Sequence, residues 1–238
     1  MDIAILSSAT GEINSESYRK YVFPSLKKYA EKYSFDLLHY DEELDSLNRS
    51  PHWQKILLMK KHLHNYDWLV WIDADVMVMN HRINIKNYFP ENHKMLAYEL
   101  FDSDTKNDFN SGLFFLKGKN DWSNTYLDQV YHGDHFYSKN PDAHYFDQSA
   151  MVFVMNKHDY YDEVKVASPT LHKLWPHSGL DLEDFLLDNT YKNVRDFRSR
   201  FNENKYFTIG DFCAHVWFRD MKERSKAYKK LYQHIIWN

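Results

Sequence analysis

A single cysteine, Cys213, stands in 238 residues, so no internal disulfide can form and a reducing compartment is the expected setting. Glycine is scarce as well, with six copies where ordinary usage of about 7% would place about seventeen. A chain this sparing keeps glycine where the backbone needs positive φ or a close neighbour. Basic excess is missing: 30 Lys plus Arg against 34 Asp plus Glu give a formal net charge of −4. A protein that grips a phosphate backbone shows the opposite balance, so no nucleic-acid partner is expected. Long apolar runs are absent too. Trp68 to Ile72 is typical, far below the roughly 18 residues that cross a bilayer. Asp2-Ile3-Ala4-Ile5-Leu6 reads as a first strand and lacks the basic start and long apolar stretch of a signal peptide. A soluble, cytoplasmic protein is the expectation.

What is present suits a globular chain: 43% hydrophobic and 27% charged residues,. Aromatic residues reach 17%, which suits a bulky core first and stacking platforms for sugars or bases second. Ile3 to Ser8 predicts a strand that ends in the loop Ser7-Ser8-Ala9-Thr10-Gly11,. Apolar residues at helical spacing predict a helix over Ser15 to Tyr33, then a strand from Phe35 to Tyr40,. His52 to His64 reads as a helix opened by Pro51, and Trp68 to Ile72 as a strand buried on both faces,. This rhythm predicts an α/β fold with a mostly parallel, Rossmann-like sheet flanked by helices. Further strands are expected at Met95 to Tyr98, Ser111 to Leu116, Val164 to Ala167 and Phe212 to Val216. Helices are expected over Asp121 to Val130, Phe146 to Asn156 and Arg219 to Trp237, with an irregular polar excursion from Phe185 to Phe207. With no repeat or flexible linker, residues 1–238 read as one domain.

The strongest chemical signal is Trp71-Ile72-Asp73-Ala74-Asp75-Val76. Two acids follow an apolar parallel strand at its carboxyl end, where open α/β sheets place their ligands. Residues two apart on an extended segment point the same way, so one divalent cation can answer both carboxylates and relieve their repulsion. Oxygen ligation suits Mg²⁺ or Mn²⁺. The plainer reading is an acidic strand-end loop in which Asp caps the next turn.

Trp53-x-Lys55, Tyr66 to Asp75, Asn110-Ser111-Gly112, Asp147-Gln148-Ser149-Ala150 and a late His215 together resemble family 34 glycosyltransferases, which are galactosyl- and xylosyl-transferases of GT-A fold. The resemblance runs over roughly residues 3 to 218. It implies a retaining transferase that uses a nucleotide sugar, usually UDP-linked, with Mn²⁺ (or Mg²⁺), and a glycan acceptor. On that likeness residues 1–100 form the nucleotide half and 101–238 the sugar and acceptor half. Asp73 and Asp75 become the DxD motif, and His215 a third metal ligand. A neutral imidazole beside two carboxylates and phosphate oxygens suits six-coordinate Mn²⁺. The other histidines, His62, His64 and His177 among them, read as ordinary surface or core residues.

The family usually follows this histidine with Gly and a diphosphate-binding Lys. Here the run is His215-Val216-Trp217-Phe218-Arg219-Asp220, so the expectation moves to Arg219, whose guanidinium can bind phosphate bidentately, with Lys222 behind it. The resemblance also assigns Ser8, Ala9 and Thr10 to the nucleotide base and ribose, Lys55 to the nucleotide side, and Ala74 to the DxD turn. Asn110, Ser111 and Gly112 would border the donor sugar, Gly112 by letting the ring approach the backbone. Asp147 would hold sugar hydroxyls, though at a helix start it also suits a plain cap. Gln148 would face the anomeric carbon; an amide is a poor nucleophile, which favours front-face transfer. Trp175 to Gly179 would border the acceptor or be an exposed turn.

Two other activities share these features. A nucleotide-sugar hydrolase or non-catalytic binding module can use the same scaffold. A haloacid dehalogenase-type phosphohydrolase also places Asp-x-Asp after an apolar strand, but near the amino terminus and with Thr or Val where Met77 stands.

Overall fold

The computed structural model describes residues 1–45, 49–99, 108–135, 146–175, 206–217 and 220–238. Their contacts divide into two compact units, each assembled from separate stretches of chain.

The first unit comprises Met1–Thr10, Phe35–Asp73 and Lys86–Ser168. It holds strands β1 (Ile3–Ser8), β2 (Asp36–Tyr40), β3 (Trp68–Ile72), β5 (Met95–Glu99), β6 (Phe109–Lys117) and β7 (Val164–Ala167). These form one six-stranded sheet in the order β2-β1-β3-β6-β5-β7. The β1–β2, β1–β3 and β5–β7 pairs are parallel, whereas β6 runs antiparallel to both neighbours. The expected mostly parallel α/β sheet is therefore present, with β6 as its reversed strand. β3 is buried along its whole length, as its unbroken Trp-Leu-Val-Trp-Ile run predicts.

Helix α2 (Gln54–His62) is preceded by a 3-10 turn at Pro51–Trp53. Ser50 accepts a hydrogen bond from His52 N–H, and Pro51 occupies the first turn, where its missing N–H costs nothing. Helix α3 (Asp121–His132) is capped by Asn120, which accepts from Ser123 N–H. Helix α4 (Phe146–Lys157) completes the layer. Trp53, Ile56 and Met59 meet Leu69, Phe114, Met151 and Val154 in one continuous core. Gly118 is needed for close approach: a Cβ there would lie 2.0 Å from the Tyr66 carbonyl oxygen.

The second unit comprises Gly11–Ser34, Ala74–Ile85 and Pro169–Asn238. Its strands β4 (Val76–Val78), β8 (His172–Leu174) and β9 (Cys213–His215) form a small sheet in the order β4-β9-β8. Helix α1 (Phe23–Tyr33) follows a π-helical turn at Tyr18–Val22 and ends on Ser34 in the left-handed region, φ 54°. Helix α5 (Met221–Tyr232) begins at Asp220, whose carboxylate accepts from Lys222 and Glu223 N–H. Tyr29 packs its ring at 5.3 Å from Phe212 and donates to the Ile83 carbonyl at 2.8 Å. Burial pushes the Cys213 thiol up to about 12, so it packs as a small apolar side chain. Among the described residues no helix is long and apolar enough to cross a membrane.

Candidate active site

In the first unit, three chain segments leave the sheet at one edge. β1 and β3 are parallel with Leu6 opposite Trp71, so Ser8-Ala9-Thr10 and Asp73 both emerge at the carboxyl end. β6 runs the other way with Leu113 opposite Ile72, which brings its early residues Asn110 to Gly112 to the same edge. Asp73 N–H donates to the Gly112 carbonyl at 2.8 Å, and Ala9 N–H to that of Tyr40 at 2.9 Å.

At this edge lies a buried charge cluster. Lys55, in the first turn of α2, carries its ammonium 3.0 Å from Asp147 and 3.2 Å from Asp73. It also donates to Ser111 Oγ at 3.0 Å and to the Ser111 carbonyl at 3.2 Å. Ser111 Oγ in turn donates to Asp147 at 3.0 Å, while Ser111 N–H donates to the Gln148 amide oxygen at 3.1 Å. Trp71 Nε1–H donates to Asp73 at 2.6 Å. The Asn110 side chain accepts from Gly112 N–H at 2.8 Å. Burial alone would depress the Lys55 ammonium, but the carboxylates of Asp147 and Asp73 more than offset it and hold the pKa above the ordinary lysine value,. Phe146, immediately before Asp147, sits at φ 37° with its ring stacked 4.6 Å from His52. That left-handed residue turns the chain into α4 with Asp147 directed at Lys55.

The second unit supplies a different set. Asp75 precedes β4, and its carbonyl accepts Val216 N–H at 2.7 Å. The antiparallel β4–β9 pair sets Val76 opposite His215, so the two side chains meet, His215 Nε2 lying 3.2 Å from Asp75 Oδ1. Arg224, in the first turn of α5, reaches Asp75 Oδ2 at 3.6 Å. On the far side of the imidazole, His215 Nδ1 lies 3.0 Å from His172 Nε2, with the rings stacked 5.0 Å apart.

Lys55, Asp73, Ser111, Asp147 and Gln148 thus come together in the first unit, and Asp75 with His215 in the second. Arg219 lies outside the described residues, as do most of the polar excursion and Pro176 to Gly179. Trp175 is buried, its N–H donating to the His215 carbonyl at 3.0 Å. Sequence reasoning missed His172 and Arg224. Neither lies at a telling spacing from a motif, and a strand of three residues carries no period from which β8 could be read.

Thirteen to fourteen per cent identity joins the chain to two solved structures across nearly its whole length. One is a glycosyltransferase involved in the glycosylation of the major capsid of PBCV-1, with a TM-score of 0.66 over 96% of this chain and 99% of that one. The other is the galactosyltransferase LgtC in complex with donor and acceptor sugar analogs, with a TM-score of 0.56 over 99% and 96%. The fold is that of the GT-A glycosyltransferases. The galactosyl transferase GMA12/MNN10 family pattern matches residues 3–98, which contain Lys55 and the Asp73-Ala74-Asp75 motif. An uncharacterized alpha-1,2-galactosyltransferase of Schizosaccharomyces pombe is 27% identical over 93 residues, covering 37% of this chain and 25% of that relative. The resemblance to family 34 read from the motifs is thus also found by the family pattern over residues 3–98 and by the relative, while the solved structures share the GT-A fold.

Proposed function

We propose that this protein is a metal-dependent glycosyltransferase that moves a hexose or pentose from a nucleotide sugar, UDP-linked, to a glycan acceptor with retention. The observation that carries the reading is the contact between Asp75 and His215 at 3.2 Å: an acid of the strand-end motif and the late histidine meet as a ligand pair. Asp73, two residues before Asp75 in the chain, adds a second carboxylate, and two carboxylates with one imidazole are a donor set that suits Mn²⁺ or Mg²⁺. The ion, when bound, supplies positive charge beside the departing diphosphate. Arg224, already beside Asp75, and Arg219 are the cations for phosphate oxygens.

The remaining residues bind and orient. Ser8, Ala9 and Thr10 take the base and ribose through backbone groups, in the nucleotide half at residues 1–100. Asp147, Asn110 and Gly112 hold the donor sugar, and Ser111 and Lys55 hold Asp147 in place. Gln148 already gives its amide oxygen to Ser111 N–H, which leaves it a poor nucleophile. Transfer then proceeds on one face: the anomeric C–O bond to the β-phosphate breaks as the acceptor oxygen bonds to that carbon. The acceptor proton passes to the leaving phosphate oxygen.

The test is nucleotide release from a panel of sugar nucleotides with Mn²⁺, with and without glycan acceptors. Acceptor-stimulated release is expected. Release independent of acceptor would make the protein a hydrolase, and binding without turnover a module. UDP with Mn²⁺ should raise the melting temperature, since ligand at 100 times its Kd stabilises by about 2.7 kcal/mol. Asp75→Asn should lose that shift. Equal stabilisation of parent and variant by UDP without metal would remove the metal assignment.

A further inference from the structure

Metal-bound histidines nearly always donate their second ring N–H to a partner, which fixes tautomer and ring orientation. His215 presents Nε2 to Asp75, so only Nδ1 remains for such a bond. The atom facing Nδ1 is His172 Nε2, at 3.0 Å. His172 is fully buried in β8, and the parallel β8–β9 register sets Leu174 opposite His215 and His172 opposite Cys213. The two rings lie 19° from parallel, so the contact is made by packed elements and not by a mobile side chain.

We infer that His172 is a positioning residue: its Nε2 accepts the Nδ1 proton of His215 and thereby keeps the His215 Nε2 lone pair available to a cation beside Asp75. This rests on the metal reading given above. By itself the 3.2 Å contact from Nε2 to Asp75 also permits the opposite arrangement, in which Nε2–H donates to Asp75 and Nδ1 accepts from His172. A cation at Nε2 admits one arrangement only. The proton must then sit on Nδ1, and among the described residues the acceptor facing it is His172 Nε2,. His172 touches neither sugar nor phosphate in this scheme and acts only through His215.

The test is Mn²⁺ binding to the full chain, read from the electron paramagnetic resonance of the free ion, for the parent, His172→Phe, His172→Gln and Asp75→Asn. Phe keeps a flat ring over His215 but offers no acceptor; Gln restores an oxygen near the Nε2 position. His172→Phe is expected to weaken Mn²⁺ binding by about 10- to 100-fold. His172→Gln should recover most of the affinity, and Asp75→Asn should abolish it. Unchanged affinity in His172→Phe would overturn the inference, as would equal losses in the Phe and Gln variants, since packing alone would then matter. Should His172→Phe fail to fold, nitrogen-15 NMR of the parent saturated with diamagnetic Mg²⁺ decides. A proton on His215 Nδ1 is expected, and a bare Nδ1 overturns the assignment. A parent that binds no Mn²⁺ would remove the cation site itself and this role with it, a result distinct from loss in the His172 variants alone.

Discussion

Replacing Lys55 by Met removes the ammonium between Asp73 and Asp147 while keeping most of the side chain's volume. The Lys55 and Asp147 side chains are 2% and 3% exposed, whereas Asp73 is 25% exposed. Asp73 can therefore rehydrate, and the cost falls mainly on Asp147, left as a buried carboxylate with Ser111 Oγ–H as donor. Breaking a buried pair by deleting one partner costs about 3–5 kcal/mol, and the cavity contribution is small because Met fills the space. At about 2–4 °C per kcal/mol for a chain of this size, the melting temperature should fall by about 6–20 °C. The pH dependence carries the sign. In the parent, Lys55 has its folded pKa above the unfolded value, so its contribution is fully present at neutral pH and is lost as the pH rises through the alkaline range. Urea unfolding of both proteins at pH 7 and in the alkaline range measures this. A deficit under about 1 kcal/mol at pH 7, or one that does not shrink as the pH rises through the alkaline range, would refute the view of Lys55 as the counter-charge of a buried acid.

Two further outcomes follow from buried charge elsewhere. Burial, with Lys32 and Lys28 nearby, pushes His81 down to about 4, so the folded state stays neutral while the unfolded chain takes up a proton near pH 6.5. Stability should fall as the pH drops from 6.5 toward 4, on the order of 2–3 kcal/mol, and His81→Gln should flatten that part of the urea-midpoint profile. Arg49 pairs with Asp45 at 3.0 Å, both almost fully buried, its guanidinium 4.3 Å from the Trp53 ring and 3.7 Å from that of Tyr131. Arg49→Met should cost about 3–5 kcal/mol in chemical denaturation, and adding Asp45→Asn should recover part of it.

Much of the architecture is legible in the chain. The all-apolar Trp68 to Ile72 run and the helical spacing through α2 and α3 are local patterns, and the strands and helices they predict form within a few residues of the expected bounds. Strand-end acids also declare themselves, because a parallel strand must deliver its carboxyl end to the ligand edge. The short strands β4 and β8, at three residues each, are too brief to show a period and form by pairing with β9. The bonds of Ser111 to Lys55, Asp147 and Gln148 were likewise not legible in the motif that contains it.

Composition and pattern alone thus determined that this chain forms a mixed α/β sheet, needs no disulfide, and sets paired acids after β3. These are consequences of neighbours along the chain. Which groups those acids meet was decided by long-range pairing. His172 and His215 are 43 residues apart, and Lys55 reaches Ser111 across 56. No local spacing encodes such contacts, because strand register and helix packing close them only when the core is buried.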